Sequence, residues 1–445
     1  MKKHYIAQFI IGCVSVCLSF LFVACGSTPV ANNLTPTSTT PAGATLTPTT
    51  ANKTPVVTQT ITTAPVPPTL TSCPANGTAR AAVMAPLALG SHANIVYIVN
   101  QYKKQVPTFG TLTRYNVTTG NKTVIVTLPG TIDSAQLSAD GQWILFVSRS
   151  ANIPTPQKLQ MIRLDGQGLQ TLYCGYLPNP QWSTDQKHIA FATSANGQDS
   201  LDVLDVTSGT LTKYLTTSNF SNGVVLRTWL DNTRLYLTSV PIDQPPNNIY
   251  ILDTSKGPNQ QMSDLITVVS NKTFGDFDSS YDGSHLFVDY GYCTQGGCVP
   301  PGKITVQSAT GGPETTIFDS PQNDTTTVRA VTAHTLLMVI HNASFTNQHV
   351  DQSDNGLWAI NTDGSDPRRM STDNANQWSE LNYFSQFPWS NVSRDSSMFA
   401  FQQNGTQGNN SVSLLYGSLN GGPAPTAFAS LADGTALNLV GWTTM

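Results

Sequence analysis

The chain has 445 residues, of which 39% are hydrophobic and only 11% charged, and its formal net charge is −4. No basic run follows Lys2 and Lys3, so the chain carries neither a phosphate-binding footprint for nucleic acid nor a polybasic membrane patch. Abundant Thr, Ser, Asn, Gly and Pro with few charged helix formers point to an exported, turn-rich all-β protein.

Residues 1–24 read as an export signal. Lys2 and Lys3 open it, residues 6–23 form the apolar stretch, and Ala24 is the small residue before Cys25. The stretch Leu21-Phe22-Val23-Ala24-Cys25-Gly26 resembles the lipobox of bacterial lipoproteins, with Phe22 where Leu is usual. That resemblance implies cleavage before Cys25 and a diacylglycerol on its sulfur. The expected partner is then a lipid bilayer and the expected location the extracytoplasmic face of a cell membrane. Each buried CH₂ contributes about 0.8 kcal/mol, so several acyl chains make a lasting anchor. Residues 25–72 follow as a Thr-, Pro- and Ala-rich linker whose single charge is Lys53. Such a stretch has too little apolar surface for a core and reads as a disordered tether.

From residue 73 a repeat sets in. Ser138-Ala139-Asp140-Gly141 leads into Trp143-Ile144-Leu145-Phe146-Val147, Ser183-Thr184-Asp185-Gln186 into Ile189-Ala190-Phe191, Ser280-Tyr281-Asp282-Gly283 into Leu286-Phe287-Val288, and Ser393-Arg394-Asp395-Ser396 into Phe399-Ala400-Phe401. Each reads as an Asp turn feeding a strand buried on both faces. Weaker copies stand at Asp231-Asn232 and Ala333-His334. A second element, two strands joined by a Gly hairpin, is marked by Gly120, Gly166, Gly209, Gly257, Gly311, Gly364 and Gly421, spaced by 43 to 57 residues. Together they give four strands per repeat and seven repeats, which is a seven-bladed β-propeller of four-stranded antiparallel blades over residues 73–445. The first repeat, near residues 94–99, lacks an inner strand, and residues 436–442 supply one extra; the C-terminal strand is expected to close the ring.

The block Pro180-Gln181-Trp182-Ser183-Thr184-Asp185-Gln186-Lys187-His188-Ile189-Ala190-Phe191 and the hairpin at residues 361–370 resemble the repeat of TolB-type β-propellers, which also occurs in the propeller portions of prolyl-oligopeptidase relatives. The resemblance speaks for fold far more than for function. Gln186 and Ser396 depart from it, standing where the family usually has Gly.

With Cys25 acylated, four cysteines remain. Cys293 and Cys298 flank a tight glycine loop suited to a local disulfide, and Cys73 with Cys174 is the pair left over, set against a four-cysteine metal site as the rival. The repeated aspartates Asp140, Asp185, Asp282 and Asp395 read as turn formers rather than as a catalytic carboxylate set. His188, His285 and His334 recur at one repeat position and read as exposed turn residues. His341, His349, Asp351 and Asp354 form the densest titratable cluster, and they are the candidate ligands if a metal is held at all; the cluster lacks the spacing of a calcium loop. The aromatic segment from Trp378 to Trp389, with Tyr383, Phe384 and Phe387, suits either a stacking surface or a filler between blades. No G-x-S-x-G elbow occurs. The reading is therefore a tethered, non-catalytic propeller needing no cofactor, which binds an envelope protein or glycan through its loops. Its alternative is an extracellular polysaccharide lyase or hydrolase using a metal on the His/Asp loop.

Overall fold

The computed structural model describes residues 72–75, 80–81, 84–88, 90 and 93–444, apart from 152–155, 196–197, 218–224, 240–246, 292, 295–296, 299–300, 345–349, 375–376, 383–386, 406–410 and 432–434. Cys25 with its signal and tether, His92, His349, Tyr383 and Phe384 lie outside the described residues, as do the side chains of Cys293 and Cys298.

Seven four-stranded antiparallel sheets follow one another. Blade two runs Thr131–Leu137, Trp143–Arg149, Gln157–Arg163 and Gln170–Gly175, and blade three runs Gln181–Trp182, His188–Ala195, Gln198–Asp205 and Leu211–Thr217. Blades four to seven begin with Val225–Trp229, Asp276–Ser279, Thr325–Ala330 and Gln377–Glu380. Residues 144–147 are buried on alternate sides without a break. That pattern follows from stacking each blade between two others, which removes both faces of its second strand from water.

Blade one is Ala93–Lys103, Val106–Asn116 and Lys122–Pro129, completed by Thr435–Thr444. The last strand pairs antiparallel to the first along its length, from Ala93 opposite Thr444 to Gln101 opposite Thr435. The ring is thus closed by its C-terminal strand, as the repeat count predicts. A register shift beside Val96 carries Gly441, at φ 149°, past blade seven, where a Cβ would meet the Trp389 carbonyl at 2.6 Å. Only glycine fits there.

Side chains stitch neighbouring blades together around the ring. Asn100 donates to the Ile132 carbonyl at 2.9 Å, Gln136 accepts from Trp182 N at 2.8 Å, and Trp229 Nε1 donates to the Gln181 carbonyl at 3.0 Å. Arg227 then reaches Asp276, Arg329 reaches both Asp276 and the Asn382 carbonyl, and Asn382 Nδ2 donates to the Val440 carbonyl at 3.0 Å. A sheet outside the sevenfold pattern joins Cys293–Thr294, Gly297–Cys298 and Ala343–Ser344, linking loops of blades five and six.

Candidate functional site: the turn face

The turns after the first strand and after the third strand of each blade emerge on the same side of the disc, because strands alternate in direction. The Asp turns build this face in one way throughout. Each Asp carboxylate accepts from the backbone N–H two residues on: Gln142 on Asp140, Lys187 on Asp185, Ser284 on Asp282 and Ser397 on Asp395, at 3.0 to 3.1 Å. The Ser two places earlier does as much. Its Oγ accepts from the N–H five residues on, Trp143, His188, His285 or Met398, at 2.9 to 3.0 Å. Turn hydrogen bonds hold the Asp185, Asp282 and Asp395 carboxyls below the ordinary Asp range, against burial, which is the leading effect on Asp185 and opposes it. The residue between Ser and Asp, Ala139, Thr184, Tyr281 or Arg394, is the variable one.

The residue after each Asp adopts positive φ: 71° at Gly141 and Gly283, 61° at Gln186 and 58° at Ser396. A side chain in that region costs roughly 1 kcal/mol, partly offset by glycine's larger entropy loss on folding. Gln186→Gly is accordingly expected to raise unfolding stability by about 0.5 kcal/mol, read as a shift in the urea midpoint.

Blade seven covers the axial end of this face. Its long first turn carries Phe387 and Trp389, stacked at 4.5 Å, into apolar clusters built from blades one to three. Trp389 Nε1 donates to the Leu137 carbonyl at 3.3 Å, and Arg394 lies over the Trp389 ring at 4.3 Å. Arg394 also donates to the carbonyls of Ser138, Ala139 and Trp442, tying blade seven to blades one and two. Of the two uses foreseen for the aromatic segment, Phe387 and Trp389 serve as a filler, while Trp378 stands half-buried against His341.

Between blades four, five and six the inner ring holds charge out of water. Arg227 Nη2 donates to Asp276 Oδ1 at 2.9 Å, and Arg329 pairs with Asp276 Oδ2; all three are almost fully buried. Asp278 accepts from Ala330 N at 2.9 Å, and burial, the leading cause, pushes its carboxyl up to about 7 despite Arg329. Asp289 accepts from Thr325 Oγ1 and from Gly291 N and is raised well above the ordinary range, first by burial and then by Asp276 and Asp324. Burial disfavours the ionised form of both, and neither carboxyl is aimed at solvent. A group with a raised folded-state pKa lends stability fully below its unfolded value, near 3.8 for Asp278, and loses it as pH rises through about 7. Asp278→Asn is therefore expected to flatten the fall in stability between those pH values, measured by urea unfolding across the range.

A cleft of about 260 Å³ opens on the turn face between blades five and six. Its wall carries Ser280, Tyr281, Asp282 and His285, its floor Phe287 and Val306, and its far side Ala333, Thr362 and Asp363. Tyr281 is 61% exposed. Hydrogen bonds from Ser365 hold the Asp363 carboxyl below the usual range, so it is anionic. The volume lies under that of a drug-sized site and matches a few side chains.

The other candidate residues do not converge. His188 lies 3.7 Å from Asp185, His285 Nδ1 meets Ser284 Oγ at 2.6 Å, and His334 sits in the exposed turn of blade six. His341 stands against Trp378, with its pKa lowered by burial. Asp351 caps its own turn at Ser353 N, and Asp354 accepts from Asn323 Nδ2 at 3.0 Å. Among the described residues, no three His, Cys, Asp or Glu side chains are grouped to hold a metal. Cys73 and Cys174 are joined in a disulfide, and Cys293 and Cys298 face each other in backbone register. The inner-ring charges, the structural serines and the cleft were not foreseen; the Ser two places before each Asp was the one visible signal.

The fold and this face define a closed β-propeller. No family model matches the chain, and no curated protein does. Among solved structures, the β-propeller domain of the Trilobed protease from Pyrococcus furiosus is similar at TM-score 0.51 and 10% identity, over 77% of this chain and 97% of that one. Pyrococcus horikoshii acylaminoacyl peptidase is similar at TM-score 0.52 and 9% identity, over 76% of this chain and 50% of that one. TolB from Acinetobacter baumannii shares 16% identity at TM-score 0.41, over 61% of this chain and 62% of the TolB chain. The two Pyrococcus likenesses speak for the fold alone.

Proposed function

We propose that this chain is a lipid-anchored, extracytoplasmic propeller that binds a protein or glycan partner on its turn face and performs no catalysis. One observation carries the reading: the open cleft between blades five and six, with Tyr281 exposed at its rim, on a face whose axial end blade seven already fills. Cys25 is the attachment point in this reading, and the Thr/Pro-rich linker gives the disc reach from the membrane. The test is photo-crosslinking in intact cells from a reactive residue placed at Tyr281 or, on the opposite side of the disc, at Gln322. Adducts from position 281 support the reading, and adducts confined to position 322 overturn it. Cys25→Ala is expected to move the protein out of the membrane fraction.

A further inference from the structure

The cleft between blades five and six has a counterpart between blades two and three, and the chain itself occupies that one. Trp143 and His285 each lie five residues after the turn Ser; Leu145 pairs with Met161 as Phe287 pairs with Val306; Val206 and Thr362 each follow the third strand of the next blade. Between blades two and three lie Arg80, Ala81 and residues 84–87. Ala81 N donates to the Val206 carbonyl at 2.7 Å, and Arg80 Nε donates to the Ser208 carbonyl at 3.0 Å. Gln170 donates to the Arg80 carbonyl, Arg163 to the Ala85 carbonyl, and Leu87 N to Gln142 Oε1, all at 2.8 to 2.9 Å. Ala81 and Trp143 pack against the same apolar cluster, and a Cβ on Gly168 would come within 2.6 Å of the Met84 sulfur.

Between blades five and six the same architecture stands open. His285 is exposed where Trp143 is half-buried, and Val306 is half-buried where Met161 is buried. The Thr362 carbonyl, the counterpart of the one that Ala81 uses, receives no backbone N–H among the described residues. Where the segment rests Arg80 on the hairpin of blade three, the hairpin of blade six presents the carboxylate of Asp363.

We propose that this cleft binds an extended segment of a partner protein, a basic residue followed by small and apolar ones, laid against blades five and six as Arg80, Ala81 and residues 84–87 lie against blades two and three. The peptide N–H meets the Thr362 carbonyl, its Lys or Arg meets Asp363, and an apolar side chain enters over Phe287 and Val306 beside Tyr281. The assignment rests on the reading of the propeller as a binding module and narrows it to one site and one ligand class.

The test selects a displayed library of random linear peptides on the full, disulfide-intact chain, and measures the recovered peptides against Ala333→Trp, Asp363→Lys and, as control, Asn121→Trp. Ala333 and Asn121 lie in exposed turns, so neither Trp enters the core. The assignment expects peptides with a basic residue ahead of an apolar one, whose affinity falls roughly tenfold or more in the first two variants and holds in the third. It is overturned when no peptide is recovered, when recovered peptides ignore Ala333→Trp, or when immobilised glycans rather than peptides bind in an Ala333→Trp-sensitive way. Crosslinks from position 281 that persist in Ala333→Trp would leave the binding-module reading standing while this assignment falls.

Discussion

Replacing Asp276 by Ala is expected to cost about 3–5 kcal/mol of unfolding stability, the largest effect of any single change at the inner ring. Asp276 is 3% exposed and its two carboxylate oxygens serve two guanidiniums, Arg227 from blade four and Arg329 from blade six, while Val328 N donates to it as well at 3.3 Å. Removing it leaves two cations in a dry site. The cost comes from that stranded charge more than from any net gain of the pair, because desolvating ions offsets most of their attraction. Exchanging all three at once for apolar residues, Arg227→Met, Asp276→Leu and Arg329→Met, is therefore expected to cost far less than Asp276→Ala alone. Urea unfolding of the two variants side by side is the check; equal losses would mean that the residues matter for packing rather than for charge.

Trp442→Ala is expected to cost roughly 3–5 kcal/mol. Trp442 is fully buried in the cluster where blades seven and one meet, and its Nε1 donates to the Asn391 carbonyl at 3.2 Å. The substitution leaves a cavity beside the strand that closes the ring, while the Asn391 carbonyl keeps its bond from Ala400 N at 2.7 Å. Because the last strand is held to the first strand of blade one by hydrogen-bond pairing alone, the loss is expected to fall on the seam first. Protease cleavage within residues 435–444 should appear at denaturant concentrations that leave blade four intact.

The architecture was readable because its signals are local. A Ser-x-Asp turn and a Gly hairpin are each set within ten residues by backbone geometry, and their recurrence counts the blades. The clasp was readable by the same count, since one repeat lacked a strand and another had one to spare. What escaped was non-local. Arg227 and Arg329 lie 49 and 53 residues from Asp276, one residue per blade, with nothing in the flanking sequence to mark them as partners. Nor did any motif announce that Arg80, Ala81 and residues 84–87 would lie across blades two and three, since they carry no strand pattern and are held mainly by side chains from elsewhere in the chain. The His and Asp cluster at residues 341–354 looked dense because it is close in sequence, yet its described members turn to separate partners, Asp351 to Ser353 N, Asp354 to Asn323 and His341 to the Trp378 ring.

Amide hydrogen exchange of the full chain across the blade-one seam tests the closed ring most directly. The account predicts that residues 94–101 and 436–443 exchange slowly, at similar rates, and lose protection together as denaturant is raised. Fast exchange of residues 436–443 beside a protected first strand would show an open ring and contradict it.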